Sequence, residues 1–470
     1  MRTAPMRHQS AAASKLDALR VGALFMEMGT GKSRIFYDVG LRKVAAGKAA
    51  RVTVLCPVSG KAHLADEAIK HTGIVPVVHG GDYTQAAGQI NIIGIESQST
   101  SVRAMNRLAE LARDSVVVID QSELIKNRET ARAQHIAEAT RNAKYRYISS
   151  GLPMTNGVED LWFQMQWLSP LILGYRRFSD FSRRHLKHKF DDVGLPGKGR
   201  IIGRFHTDEI AAKIAPYAYE CRKADCLDLP PKTYSYKTAV FDDETRRIYE
   251  EAKLRILFGK RAFEVDDATI YRLFTALQLV SAGVLPEWLF TPGEFTITSP
   301  KQALLAETIP ELTGKAVIWC RYLTEANAVC QTLAAAGREY VRIDGSVSLA
   351  GRTERVHRFR DDAGVNFLVA TLQIGAKVHD WGFADYAIYM SNSFDYGLRA
   401  ESEDRTHRAM MTGKAHYIDL RADCGIERRI ARSLNIKENA LHAFQDKIRK
   451  LRSQGTKQAQ DKVMEEISKL

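Results

Sequence analysis

The chain has 470 residues, 45% of them hydrophobic and 26% charged, which is ordinary for globular protein and too long for one core, since single cores rarely grow past roughly 250–300 residues. A formal charge of +13 points to a polyanionic partner, because basic surface binds phosphate backbones by releasing counterions. No apolar run approaches the ~18–20 residues that span a bilayer, the opening "MRTAPMRHQSAAASKL" has no apolar signal core, and the six cysteines form no CxxC pair; membrane insertion, secretion, zinc and disulfides are all disfavoured, and a cytoplasmic location is expected.

The first 150 residues alternate strand-like and helix-like segments, the pattern of a mainly parallel α/β sheet. Predicted strands are "GALFM" (22–26), "RVTVLCP" (51–57), "INIIGI" (90–95), "SVVVID" (115–120) and "YRYISS" (145–150), with helices such as 33–47 and 103–113 between them. From about 158 to 300 the chain reads as helical, with Pro/Gly breaks at "LPGKG", "LPPKT" and "TPGEF". A second α/β run follows: "AVIWC" (316–320), "YVRID" (340–344), "NFLVAT" (366–371), "YAIYMS" (386–391) and "AHYIDL" (415–420). The tail from about 437 is mixed-charge and helix-prone.

Two features carry chemistry. "MEMGTGKS" (26–33) follows a short apolar strand and opens a helix, the context in which a glycine loop cradles phosphates. Gly29, Thr30 and Gly31 would close backbone N–H groups around a phosphate, Lys32 would reach the outer phosphates, and Ser33 would place its hydroxyl on Mg²⁺. Asp120, ending a later buried strand, is the expected second Mg²⁺ contact. The residue after it, Gln121, is an amide where a carboxylate would handle the attacking water.

Further motifs line up in order, and together they resemble superfamily 2 helicase-like ATPases of the Swi/Snf branch, in a compact phage or bacterial form. "MRHQ" (6–9) is similar to the adenine-reading motif, with Gln9 as the contact. "VLCPVS", "IIGIESQ", "DQSE", "SSGLPMTN" and "EDLWFQMQWLSP" resemble the successive first-lobe motifs. "RKADCLDLPPKT" (222–233) resembles the linker into the second lobe. "AVIWCRYL", "YVRIDGSVSLAGRTERVHRF", "EDRTHR" and "GIERRIARSL" resemble second-lobe motifs, so that the resemblance spans residues 5 to 436. It implies two RecA-like parallel-sheet lobes with helical insertions between them and a C-terminal helical tail. The expected division is 1–160, 161–235, 236–300, 301–436 and 437–470.

The resemblance also implies function: ATP and Mg²⁺ bound between two lobes, with Arg405 and Arg408 reaching the γ-phosphate from the second, and translocation along DNA, preferred to RNA, as a monomer. A strand-separating helicase on DNA or RNA, or an ATP-gated clamp with little turnover, are the alternatives. Departures are Leu152 for a Thr, Glu401 for a Gln, "MMTGK" after the arginines, and a glycine-rich motif reduced to Gly375 and Gly382 within 371–385. Gln121 stands where the family has the Glu that polarises water. Hydrolysis is therefore expected to be slow, as in a natural clamp or after a deliberate Glu→Gln exchange.

Nucleic-acid contacts are expected from 176–204, where Arg183, Arg184 and Lys187 interleave with Phe178, Phe181 and Phe190, the phenylalanines facing the core. Lys61, His63, Arg321 and Arg352 are further candidates beside the motifs. His8, His379 and His407, alone in their segments, are expected to be structural or surface residues and not metal ligands.

Overall fold

The computed structural model describes residues 1–154, 157–189, 200–227, 229–258, 260, 264–375, 381–394, 396–407, 416–436 and 457–469. The chain divides into two compact units, Met1–Asp228 and Leu229–Leu470.

The first unit opens with α1 (Arg7–Asp17), β1 (Val21–Met26), α2 (Lys32–Ala45), β2 (Val52–Cys56), α3 (Lys61–Thr72), β3 (Val77–Val78) and β4 (Ile90–Gly94). It continues through α4 (Val102–Ala112), β5 (Val116–Asp120), α5 (Ala131–Ala139), β6 (Tyr145–Ser150), α6 (Glu159–Leu168) and α7 (Phe178–His185). A hairpin β7 (Leu186–Lys189) and β8 (Arg200–Arg204), then α8 (Thr207–Ile214), β9 (Ala218–Cys221) and α9 (Lys223–Cys226), complete it.

All seven strands of the main sheet are parallel, in the order β3-β4-β2-β5-β6-β1-β9. A parallel sheet needs cover on both faces, which is why its central strands are runs of Val, Ile and Leu. Helices α1, α2 and α3 pack Leu16, Ile35, Phe36 and Leu64 on one face. Leu108 of α4, Ile136 of α5 and the apolar side of α6 cover the other.

The second unit contains β10 (Thr233–Ala239), α10 (Asp243–Leu257), α11 (Asp267–Ser281), α12 (Pro300–Thr308), β11 (Ala316–Cys320), α13 (Leu323–Ala335), β12 (Glu339–Ile343) and α14 (Leu349–Asp361). After these come β13 (Val365–Thr371), α15 (Leu372–Gly375), β14 (Tyr386–Tyr389), α16 (Tyr396–Thr406), β15 (His416–Ala422), α17 (Gly425–Asn435) and α18 (Lys457–Ser468). Its sheet is also parallel, ordered β10-β15-β14-β11-β13-β12. Helices α10, α11 and α17 form a further apolar layer that includes Val463 of the tail helix. Both units have the RecA-like doubly covered parallel sheet.

The stretch read as helical holds more than helices. The hairpin β7–β8 interrupts it, β9 joins the first sheet beside β1, and β10 joins the second beside β15. Phe181 is fully buried and Phe178 packs against it at the core edge, while Phe190 lies outside the described residues. The six cysteines are free thiols. Among the described residues no helix is long and apolar enough to cross a membrane.

Candidate nucleotide-binding site

The C-terminal edge of the first sheet brings the glycine loop and Asp120 together. β1 ends at Met26, and the chain reaches α2 through Gly29 and Gly31, both in left-handed backbone (φ 80° and 81°). That region costs an ordinary L-residue roughly 1–2 kcal/mol, so glycine belongs there. Gly31 is the N-cap of α2, and no side chain caps that end. The first-turn N–H groups thus face an anion site with the helix dipole behind them. Lys32 Nζ donates to the carbonyls of Met26 (2.9 Å) and Glu27 (3.2 Å).

Helix α1 fastens the loop from behind. Gln9 Nε2 donates to the Thr30 carbonyl at 3.2 Å, and His8 Nε2 lies 2.8 Å from the same oxygen. Gln9 Oε1 accepts from Met6 N at 3.0 Å, so the amide has both ends engaged.

Strand β6 lies between β1 and β5, and its register sets Ser149 opposite Asp120. Ser149 Oγ donates to Asp120 Oδ1 at 2.9 Å. Burial pushes the Asp120 carboxyl up, and Lys32, the Ser149 hydroxyl and His63 offset that only in part. An acid in that position gains from a cation. Gln121 has left-handed backbone (φ 58°), uncommon for a non-glycine and typical of strain kept at functional sites. The rest of the box is interlocked: Ser122 Oγ donates to Gln164 Oε1 of α6, and Ser150 Oγ to Glu123 Oε2, each at 2.6 Å.

Helix α3 closes the other side. Ser33 Oγ donates to Glu67 Oε2 at 3.5 Å, and His71 Nε2 lies 2.9 Å from the same oxygen. Burial pushes the Glu67 carboxyl up, but His63, Lys70 and His71 outweigh it and hold the group below its usual range. Among the described residues no three His, Cys, Asp or Glu side chains converge on one point. One carboxylate with a hydroxyl suits Mg²⁺, which takes most of its ligands from phosphate and water. Ser33, Asp120, Lys32 and the Gly31 cradle fit a magnesium nucleotide.

The other predicted residues spread further. Lys61 Nζ donates to the His79 carbonyl at 2.9 Å. Arg183 is exposed and sits 3.7 Å from Asp180, Arg184 gives Nε and Nη2 to Glu209 at 2.9 and 2.8 Å, and Lys187 is exposed on β7. In the second unit the Arg321 guanidinium lies 4.1 Å over the Phe394 ring, and Arg352 Nη2 donates to the Asp344 carbonyl at 3.3 Å. Arg405 ends α16, its carbonyl accepting from Trp381 N at 2.9 Å. Arg408 and His379 lie outside the described residues.

A buried polar network anchors the helix that carries Arg405. The Arg399 guanidinium lies 3.6 Å over Tyr389 and bonds Glu403 Oε1 (2.7 Å), Asn392 Oδ1 (2.6 Å) and Asp419 Oδ1 (2.5 Å). Lys232 Nζ and Tyr234 OH each donate to Glu403 Oε2 at 2.8 Å.

Comparison with known proteins finds distant similarities. The human DNA annealing helicase and endonuclease ZRANB3 is 21% identical over 299 residues, covering 62% of this chain and 26% of its own length. The Xenopus laevis SWI/SNF-related matrix-associated actin-dependent regulator of chromatin subfamily A-like protein 1 is 22% identical over 348 residues, 73% of this chain and 34% of its own. The chain is similar in sequence to Swi/Snf-type helicase-like ATPases. The TATA-binding protein-associated factor MOT1 of Saccharomyces cerevisiae is 23% identical over 462 residues, 82% of this chain and 24% of that protein. The match thus spans only about a quarter to a third of these relatives. No protein-family model matches. The solved Sulfolobus solfataricus SWI2/SNF2 ATPase core in complex with dsDNA aligns over 93% of this chain and 92% of its own, with 19% identity and a TM-score of 0.44.

Sequence reasoning missed three partners: Ser149, Ser150 and Glu67. The two serines were visible in "SSGLPMTN", but their pairing with Asp120 and Glu123 depends on strand order. Glu67 and His71 share a helix face by their four-residue spacing, yet nothing local ties them to Ser33.

Proposed function

We propose that the chain is a nucleic-acid-stimulated ATPase that works as a DNA-translocating motor. The observation that carries this is the convergence of the glycine loop, Ser33 and Asp120 on one sheet edge. The loop and the α2 N-terminus bind the phosphates, Lys32 draws the outer ones in, and Gln9 buttresses the loop beside the base. Ser33 and Asp120 would hold Mg²⁺, which would supply charge neutralisation to the transferred phosphoryl group. The resemblance gives Arg405 and Arg408 the role of adding positive charge to that group. The net charge of +13 and relatives with DNA in their names support DNA as the polymer, contacted by Arg183, Lys187, Lys61, Arg321 and Arg352.

Gln121 favours a second reading, an ATP-gated clamp with little turnover. An amide can hydrogen-bond a water but cannot take its proton, and general-base help is typically worth ~10²–10⁴-fold. ATP turnover measured without nucleic acid and with single strands, duplex and forks separates the two readings, on this protein and on Gln121→Glu. Turnover stimulated by duplex or forked DNA supports the motor. Stimulation by single-stranded RNA with none by duplex DNA would overturn the choice of polymer.

A further inference from the structure

The Ser33 hydroxyl does not share a partner with Asp120. Asp120 Oδ1 takes its hydrogen bond from Ser149 Oγ at 2.9 Å, whereas Ser33 Oγ turns to Glu67 Oε2 at 3.5 Å. A serine hydroxyl has one proton and two lone pairs. For the lone pairs to face a cation, the proton must be aimed at an acceptor elsewhere, and Glu67 is the acceptor on this side of the site. The contact is long for a hydroxyl–carboxylate bond, so it can tighten as the Ser33 oxygen takes up a cation. Glu67 is itself directed: His71 Nε2 lies 2.9 Å from Oε2 and Lys70 Nζ 3.3 Å from Oε1. His71 Nδ1 then lies 2.7 Å from Thr3 Oγ1, and the Thr3 carbonyl accepts from Arg34 Nη2, next to Ser33, at 2.7 Å. The relay therefore starts and ends on the first turn of α2.

We infer that Glu67 is a positioning residue for the magnesium–nucleotide site, holding the Ser33 proton so that the Ser33 oxygen faces the metal, with His71 and Thr3 setting the orientation of Glu67. The inference rests on the nucleotide reading above. The competing account makes Glu67 an ordinary helix-surface acid paired with Lys70 and His71 at i+3 and i+4, of value to stability alone.

The test is uptake of a fluorescent ATP analogue by the full chain as Mg²⁺ is titrated. Partners of metal ligands typically change metal affinity by 10–100-fold when removed, so Glu67→Ala should raise the half-saturating Mg²⁺ concentration by at least about tenfold. Ser33→Ala should raise it as well, and adding Glu67→Ala to Ser33→Ala should cost nothing more. Glu67→Gln, which keeps size and an acceptor oxygen, should fall between, and it carries the test if the alanine variant does not fold. An unchanged Mg²⁺ requirement with only a lower melting temperature overturns the inference, as do effects of Ser33→Ala and Glu67→Ala that multiply. If the unaltered chain takes up no nucleotide at any Mg²⁺ concentration, the nucleotide reading itself falls.

Discussion

Gln9 and Gly31 are packed so closely that a Cβ on Gly31 would collide with the Gln9 amide nitrogen. The glycine is set by its left-handed φ of 81°, and a Cβ there would in addition push the Gln9 amide off its hydrogen bond to the loop. Gly31→Ala should therefore displace the α1 buttress and the loop together, abolishing ATP-analogue binding and lowering stability by more than the ~1–2 kcal/mol of backbone strain. Gly47 is the control, since it has φ 67° but nothing near its missing Cβ. Gly47→Ala should cost about that strain and leave binding intact, both read by thermal melts with nucleotide titration. Equal losses of binding in the two variants would refute the close-packing argument.

Gln121 gives the second prediction. It sits one residue past a carboxylate held by Ser149, in left-handed backbone, and on the proposed ATPase reading it takes the place of the proton acceptor. Gln121→Glu should raise DNA-stimulated kcat by about 10²–10⁴-fold with little change in KM for ATP. Unchanged turnover would remove Gln121 from the water-handling role.

What could be read locally, and what could not, follows from where each residue finds its partner. The central strands were legible because a strand buried on both faces is a run of Val, Ile and Leu, as in "SVVVID". β9 ("AYEC") and β10 ("TYSYKTA") escaped because they are edge strands, half-exposed and mixed in polarity. The glycine loop was legible because strand, turn and helix are adjacent in the chain, and Asp120 because it ends a buried Val/Ile run. Glu67 was not, being 34 residues from Ser33, and Ser149 was not, being 29 residues from Asp120. The first depends on α3 packing beside α2 and the second on β6 inserting between β5 and β1, and no local pattern states either.

The buried network on Arg399 makes stability depend on pH. Burial pushes Asp419 and Glu403 up, but Arg399 and its neighbours more than offset this and hold both carboxyls below their usual values. A depressed folded-state value means the stabilisation is present above the unfolded values, about 3.9 for Asp and 4.3 for Glu, and is lost as pH falls through the folded ones. Melting of the chain should be nearly flat from about pH 7 to 5 in this contribution and fall steeply below about pH 4. Asp419→Asn should flatten that acid limb while costing about 3–5 kcal/mol at neutral pH, because Arg399 loses a charged partner in a buried site. Glu325, pushed up by burial, works in the opposite sense and at pH above about 4.3, where stability grows as pH falls from its raised value, so Glu325→Gln should remove that gain above the acid limb. An acid limb indifferent to Asp419→Asn would show that other groups control it.

The segment around α7 separates packing from polymer binding. Phe181 is fully buried among Tyr175, Phe178 and His185, so Phe181→Ala should cost about 3–5 kcal/mol of stability. Arg183 and Lys187 are exposed, and the only ion pair drawn for Arg183 among the described residues is the loose 3.7 Å one to Asp180. Arg184 is committed to Glu209 through both Nε and Nη2. Arg183→Ala and Lys187→Ala should then weaken DNA binding without lowering the melting temperature. Each should reduce the slope of log affinity against log salt by about 0.9 if it meets a duplex phosphate, or about 0.7 on a single strand. Arg184→Ala should change that slope little. A salt slope that stays put for both Arg183→Ala and Lys187→Ala would place the polymer away from this segment.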